Sequence, residues 1–282
     1  MRRMPRWIGI LLCLGVMIVA WGGYADAGFK DVEFGGETWR ILKGRHFVIY
    51  YDSLIPQSKA RSVLRISEDY YRKIGEIVGF TRYSDFWTWE QRAKIFIFAD
   101  QKSFHQRTGA PSWSMGYADR DSYLFQSRAI VTYLQEEGWM NGLLPHEISH
   151  LILHDFIAPE NIPIWIDEGI AQLFESDKYV IADRMMRTLV RRGQFIPLET
   201  LNRWDIRRET DAVKVEIFYA QSLSLVHFLR EEFGYENFCR FCRSLRDGKP
   251  LEESLQSAYP VKIRSLDDLQ SAWLSFINRN SL

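Results

Sequence analysis

Residues 143–156 read LLPHEISHLILHDF, and residues 163–175 read PIWIDEGIAQLFE. Pro145 is tolerated in the first turn of a helix but not deep inside one, so a helix is expected from about Leu143 to about Asp155. Positions i and i+4 of a helix lie one turn apart on one face. His146 and His150 can therefore aim imidazole nitrogens at a single Zn²⁺, and Glu147, one step round, can reach a water held beside that ion. The plain alternative is a helix whose two histidines merely pack, in a chain with only six histidines. The surrounding sequence has to decide between the two.

A catalytic zinc site has three protein ligands and one open position. The metzincin pattern would need a glycine three residues after His150 and a histidine six after it. Leu153 and Phe156 stand there, so that arrangement is excluded. His154 continues the histidine face but lies two turns from His146, too far to share one ion with both, and reads as a supporting or surface histidine. Glu168 is the better third ligand. Seventeen residues separate it from His150, including Pro159 and Pro163, which leaves room for a loop and a second helix returning against the first. Glu175 lies two turns further along an expected helix 164–176. It is placed to accept a hydrogen bond from a ligating histidine and so fix its tautomer. Helical acids are usually solvated, but Ile164, Trp165, Ile166, Ile170, Ala171, Leu173 and Phe174 make this an apolar setting.

The N-terminus reads as a separate unit. MRRMPR carries three arginines, residues 7–21 form an uninterrupted apolar run of fifteen, and Ala25 and Ala27 suit an A-x-A cleavage site. That is the layout of a secretory signal peptide, residues 1–27, leaving a mature domain of 28–282 exported to the periplasm, the cell surface or the medium. The run is short for a membrane span of ~20 residues; an uncleaved anchor is the alternative, and otherwise no stable membrane insertion is expected. The remaining 33 basic and 35 acidic residues give no basic stretch of nucleic-acid-binding density. Cys239 and Cys242 form a CxxC pair, but in a helical context with Phe238, Phe241 and Leu245 they read as small buried side chains rather than a redox or zinc pair.

Strands are expected at 46–52, 93–100 and 128–134, with helices at 57–78, closed by Gly79, and at 101–108, closed by Gly109. Residues 110–125 read as loop and turn, with an aspartate-rich bend at Asp119 and Asp121. Beyond Phe156 the pattern is helical at 164–176, 178–192, 214–233, 235–247, 251–258 and 266–278. The fold class is α+β: a small mixed β-sheet with helices (43–156) ending in the zinc helix, then an all-helical half (157–282), with a cleft between them beside that helix.

HEISH followed by WIDEGIAQLFE resembles the gluzincin metallopeptidases, the clan of thermolysin and the aminopeptidase-N family, and is most similar to the shorter bacterial peptidase MA-like domains. The resemblance implies that His146, His150 and Glu168 ligate zinc and that Glu147 is the catalytic base. FYAQSLSLVHFLREEFG (218–234) is similar to the helix whose tyrosine stabilises the oxyanion in the aminopeptidase-N family. That implies the role for Tyr219, although Ser222 replaces the usual glycine; the alternative is a core tyrosine beside Phe218. His227, two turns later, is too far to take that role. The resemblance also makes RAIVTYL (128–134) the edge strand over the cleft. The GAMEN-type anchor for a free substrate amine is absent, which argues against an exopeptidase. The expected activity is Zn²⁺-dependent hydrolysis of peptide bonds in a peptide or protein substrate. The alternatives are a catalytically silent binding protein on the same scaffold and a zinc amidase acting on cell-wall peptide.

Overall fold

Three short segments rich in β-branched and aromatic residues form the centre of the sheet: β3 (Phe47–Asp52), β4 (Ala93–Phe98) and β6 (Ala129–Tyr133). In the computed structural model they run parallel, β3 beside β4 and β4 beside β6. Both faces of such a sheet are covered, so the strands are apolar on both sides. Phe47, Ile49, Tyr51, Ile95, Ile97 and Ile130 join one core with the helices α1 (Gln57–Val78) and α3 (Leu143–Phe156). Phe96, Phe98 and Val131 point the other way, with Trp39, onto Phe104 of α2 (Gln101–Thr108). The described residues are 31–34, 37–79, 91–112, 114–119, 128–135, 138–157 and 162–279. The signal segment 1–27, the aromatic stretch 83–89, Asp121 and the loop containing Pro159 lie outside them.

The sheet is larger than the sequence reading expected. An antiparallel hairpin, β1 (Asp31–Phe34) and β2 (Glu37–Lys43), precedes β3, and β5 (Gly116–Asp119) pairs antiparallel with β6. The strand order is β1-β2-β3-β4-β6-β5. The edge strand on that side is therefore β5, inside the stretch read as loop, and RAIVTYL is an interior strand. Gly116 permits the close approach: a Cβ there would come within 2.9 Å of Leu143 Cδ2 and 3.0 Å of the Val131 carbonyl oxygen.

The second half is helical: α4 (Ile164–Gln172), α5 (Lys178–Arg191), α6 (Leu198–Arg203), α7 (Ala212–Phe233), α8 (Tyr235–Arg246), α9 (Leu251–Ala258) and α10 (Leu266–Arg279). Two differences from expectation affect the site. α6 is not among the helices expected from the sequence. α4 stops at Gln172, four residues early, and Asp177 takes a left-handed φ of 59° to turn the chain into α5. α4 and α7 pack closely because Gly169 has no side chain: a Cβ there would lie 2.6 Å from the Ser222 carbonyl oxygen. No described helix is long and apolar enough to cross a membrane. Cys239 and Cys242 are free thiols buried on α8.

Candidate metal centre

α3 is held from three sides. Leu144, Ile148, Leu151 and Ile152 bury its apolar face in the core. At its C-terminal end Asp155 pairs with Arg128 at 3.1 Å, tying the helix to the start of β6. Before its first turn, the Asn141 carbonyl accepts a hydrogen bond from Ser176 N–H at 3.0 Å, which pins the turn after α4 to the start of α3. That pin brings Glu175 to the site from a turn, not from a helix face as the sequence suggested.

Glu175 Oε1 lies 2.8 Å from His146 Nδ1, and Asp167 Oδ1 lies 2.9 Å from His150 Nδ1. A carboxylate only accepts, so each Nδ1 carries the proton, and each neutral ring has a bare lone pair on Nε2. Those two Nε2 atoms face each other across 3.0 Å. Glu168 Oε2 lies 3.5 Å from one and 3.7 Å from the other. It is buried and has no hydrogen-bond partner among the described residues. Three acceptors thus converge with no donor among them, an arrangement that requires a proton or a cation. A point equidistant from three atoms at these separations is about 2.0 Å from each, the length of Zn–N and Zn–O bonds. His146, His150 and Glu168 fit a zinc ion.

The electrostatics agree with the geometry. Burial alone would lower His146, but contacts with the Glu168 and Glu175 carboxylates and the charge of Glu147 raise it to about 10. His150 is raised to about 9, burial being outweighed by Asp167 and Glu168. Asp167 is held well below the usual carboxylate range, since the His150 and His154 contacts override its burial. The pocket is short of positive charge. Glu147 is nearly buried and makes no hydrogen bond or ion pair among the described residues, leaving its carboxylate available beside the cluster.

The sequence reading gave Asp167 no role. Adjacent helical residues point about 100° apart, so Glu168 meets the front of the two rings while Asp167 meets the back of His150. Asp167 Oδ2 also lies 2.9 Å from His154 Nε2, which makes His154 a buttress for Asp167. His150, His154 and Asp167 form a second group of potential ligands, but these contacts already satisfy one another. Gln172 was missed too: its buried amide donates to the carbonyls of Glu168 (3.1 Å) and Tyr219 (3.0 Å), joining the two helices at the level of the site. Tyr219 is half-buried and edge-on to Phe218, with centroids 5.8 Å apart. Burial, then the carboxylates of Glu168, Glu147, Glu175 and Asp167, push its phenol well above its ordinary value, so the hydroxyl stays a donor. His227 is stacked on Tyr179 at 3.4 Å. A cavity of about 480 Å³ beside α6 is lined by Glu199, Thr200, Arg203 and Trp204, and none of the candidate ligands lines it.

Comparison with known proteins adds a family. No curated protein matches the chain. Among solved structures it is similar to an M1 zinc metallopeptidase from Deinococcus radiodurans, at 14% identity and a TM-score of 0.38, covering 87% of this chain and 50% of that one. It is also similar to a conserved protein of unknown function from Bacillus anthracis, at 10% identity and a TM-score of 0.43, covering 86% and 52%. The chain thus spans about half the length of these structures. The family model of the peptidase MA superfamily matches residues 89–278, which include the ligand cluster and both helices that build it, and the chain belongs to that superfamily.

Proposed function

We propose that this protein is a zinc-dependent peptidase in which His146, His150 and Glu168 hold the ion, acting on peptide or protein substrates outside the cytoplasm. The observation that carries the reading is the pair of Nε2 lone pairs 3.0 Å apart, with the orphaned Glu168 oxygen completing the triangle. When bound there, Zn²⁺ supplies Lewis-acid polarisation of a carbonyl and lowers the pKa of a water from about 15.7 towards about 7.

The chain's own residues supply the rest. Glu175 and Asp167 hold the Nδ1 protons and so keep both Nε2 atoms aimed at the ion. Glu147 takes the proton of the attacking water on its carboxylate and passes it to the leaving nitrogen. Tyr219 donates its hydroxyl to the developing oxyanion, a contact whose loss typically costs ~2.7–4 kcal/mol of barrier. Gln172 keeps the carbonyls of Glu168 and Tyr219 in fixed relation. The export part rests on residues 1–27 alone.

Elemental analysis with digestion of a peptide library tests the reading. One zinc per chain and cleavage that disappears in Glu147→Gln, with zinc retained, are expected. Undiminished turnover in Glu147→Gln contradicts the assignment of the base. Zinc without any turnover points instead to a silent scaffold.

A further inference from the structure

His146, His150 and His154 stand on one face of α3 at successive turns. The third ring is set differently from the first two. The His146 and His150 rings are 4.7 Å apart at 76°, which brings their Nε2 atoms together, whereas His154 lies 5.9 Å from His150 and tilts by 40°. Its Nε2 lies 2.9 Å from Asp167 Oδ2. A carboxylate only accepts, so His154 carries its proton on Nε2, the opposite tautomer to the two candidate ligands. That nitrogen is a donor aimed at Asp167, not a lone pair offered to an ion.

Asp167 therefore has one imidazole on each oxygen, His150 Nδ1 at Oδ1 and His154 Nε2 at Oδ2, both at 2.9 Å. The two rings come from a single helix one turn apart, and the carboxylate comes from α4. Two contacts fix the plane of the carboxylate where one would leave it free to rotate. The next residue is Glu168, so the same grip sets where α4 presents the third ligand. Without His154, a carboxylate only 15% exposed would hinge on His150 alone. The arm behind His146 is built differently. Glu175 Oε2 meets Lys178 Nζ at 3.3 Å, three residues on at the start of α5, and that lysine is 45% exposed. Such a pair is screened by water and salt and contributes little.

We propose that His154 is a positioning residue of the metal centre: by holding Asp167 Oδ2 it fixes Oδ1 on His150, and so keeps the His150 Nε2 lone pair directed at the ion. The proposal deepens the zinc reading above and rests on it.

The test compares two kinds of substitution in the full chain. His154→Gln keeps an N–H donor at about the reach of Nε2 but loses the ring; His154→Phe keeps a ring but loses the donor. Zinc affinity is measured by competition with a chromophoric chelator, and the cobalt-substituted chain is followed by its visible absorption, alongside melts of the metal-free proteins. His154→Phe is expected to bind zinc about tenfold more weakly, the low end of the effect of losing a partner behind a ligating histidine, and to shift the cobalt bands. His154→Gln should stay close to wild type in both. In an Asp167→Asn background His154→Phe should add no further loss, because the two residues act along one path. Unchanged affinity in His154→Phe, equal losses in the two variants, or losses that add in the Asp167→Asn background overturn the proposal. A metal-free His154→Phe that does not melt cooperatively assigns the residue to the fold and overturns it as well. A wild-type chain that takes up no zinc fails the metal-centre reading itself, and this inference with it.

Discussion

His46 and His146 are both imidazoles held by glutamates, the first buried and the second half-buried, but they differ in what is gathered around them. At His46, one carboxylate meets both the ring and the backbone: Glu68 lies 2.6 Å from Nδ1 and accepts from the backbone N–H at 2.9 Å, while the ring stacks on Tyr71 at 3.9 Å. Burial alone would raise Glu68, yet its hydrogen bonds to His46 hold it below the ordinary value. This pair fastens the start of β3 to α1. At His146 a second ring and a second and third carboxylate converge, and the lone pairs meet. A buried histidine–carboxylate contact by itself is a clasp; two of them aimed at one point make a place for a cation.

Substitution of the two histidines should separate the regions most sharply. His146→Ala is expected to lose zinc and all peptidase activity. His46→Ala should keep one zinc per chain and lose about 1–3 kcal/mol of stability, the cost of a half-buried carboxylate that keeps the backbone N–H but loses the imidazole donor. Elemental analysis and thermal melts read both. Loss of zinc from a folded His46→Ala would break the distinction.

The carboxylates should differ next. Asp167→Asn removes the charge that holds the His150 Nδ1 proton and puts an amide NH2 in place of one of the two accepting oxygens, so zinc affinity should fall about 10–100-fold. Glu68→Gln should leave it unchanged. Competition with a chromophoric chelator measures both, and equal effects would show that Asp167 does not act through the metal.

The smallest effect is in pH. His146 and His150 are raised to about 10 and about 9 in the metal-free chain. A raised histidine contributes stability in full below its unfolded value of about 6.5, and that contribution is lost as pH rises through the folded value. Metal-free protein should therefore lose stability between about pH 7 and 10, by about 2–4 °C in Tm per kcal/mol, while zinc-loaded protein does not share this loss. A metal-free Tm that climbs towards pH 10 would contradict the sign.

The sequence exposed the part of the site that lies on one helix face. His146, Glu147 and His150 follow from a spacing of four, and Glu168 from an acid in an apolar segment. Asp167 escaped because its neighbour had already been given the role; two adjacent acids among Trp165, Ile166 and Ile170 were a usable signal for two directions of contact. Gln172 and the turn carrying Glu175 depend on how α4 ends against α7 and against Asn141, which no local pattern encodes. In the sheet, the central strands were legible from their apolar runs. β2 was not, though Trp39 and Ile41 are buried and Arg40 is exposed, the alternation of a strand. β5 has turn-like composition and is a strand only because β6 offers it an edge to pair with.

The peptidase reading puts one zinc between His146, His150 and Glu168. Diffraction from crystals of zinc-loaded protein at the zinc absorption edge tests it most directly. A single anomalous peak about 2.0–2.2 Å from His146 Nε2, His150 Nε2 and a Glu168 carboxylate oxygen is the predicted result. A peak at His154 and Asp167 alone, or none at full zinc loading, would contradict it.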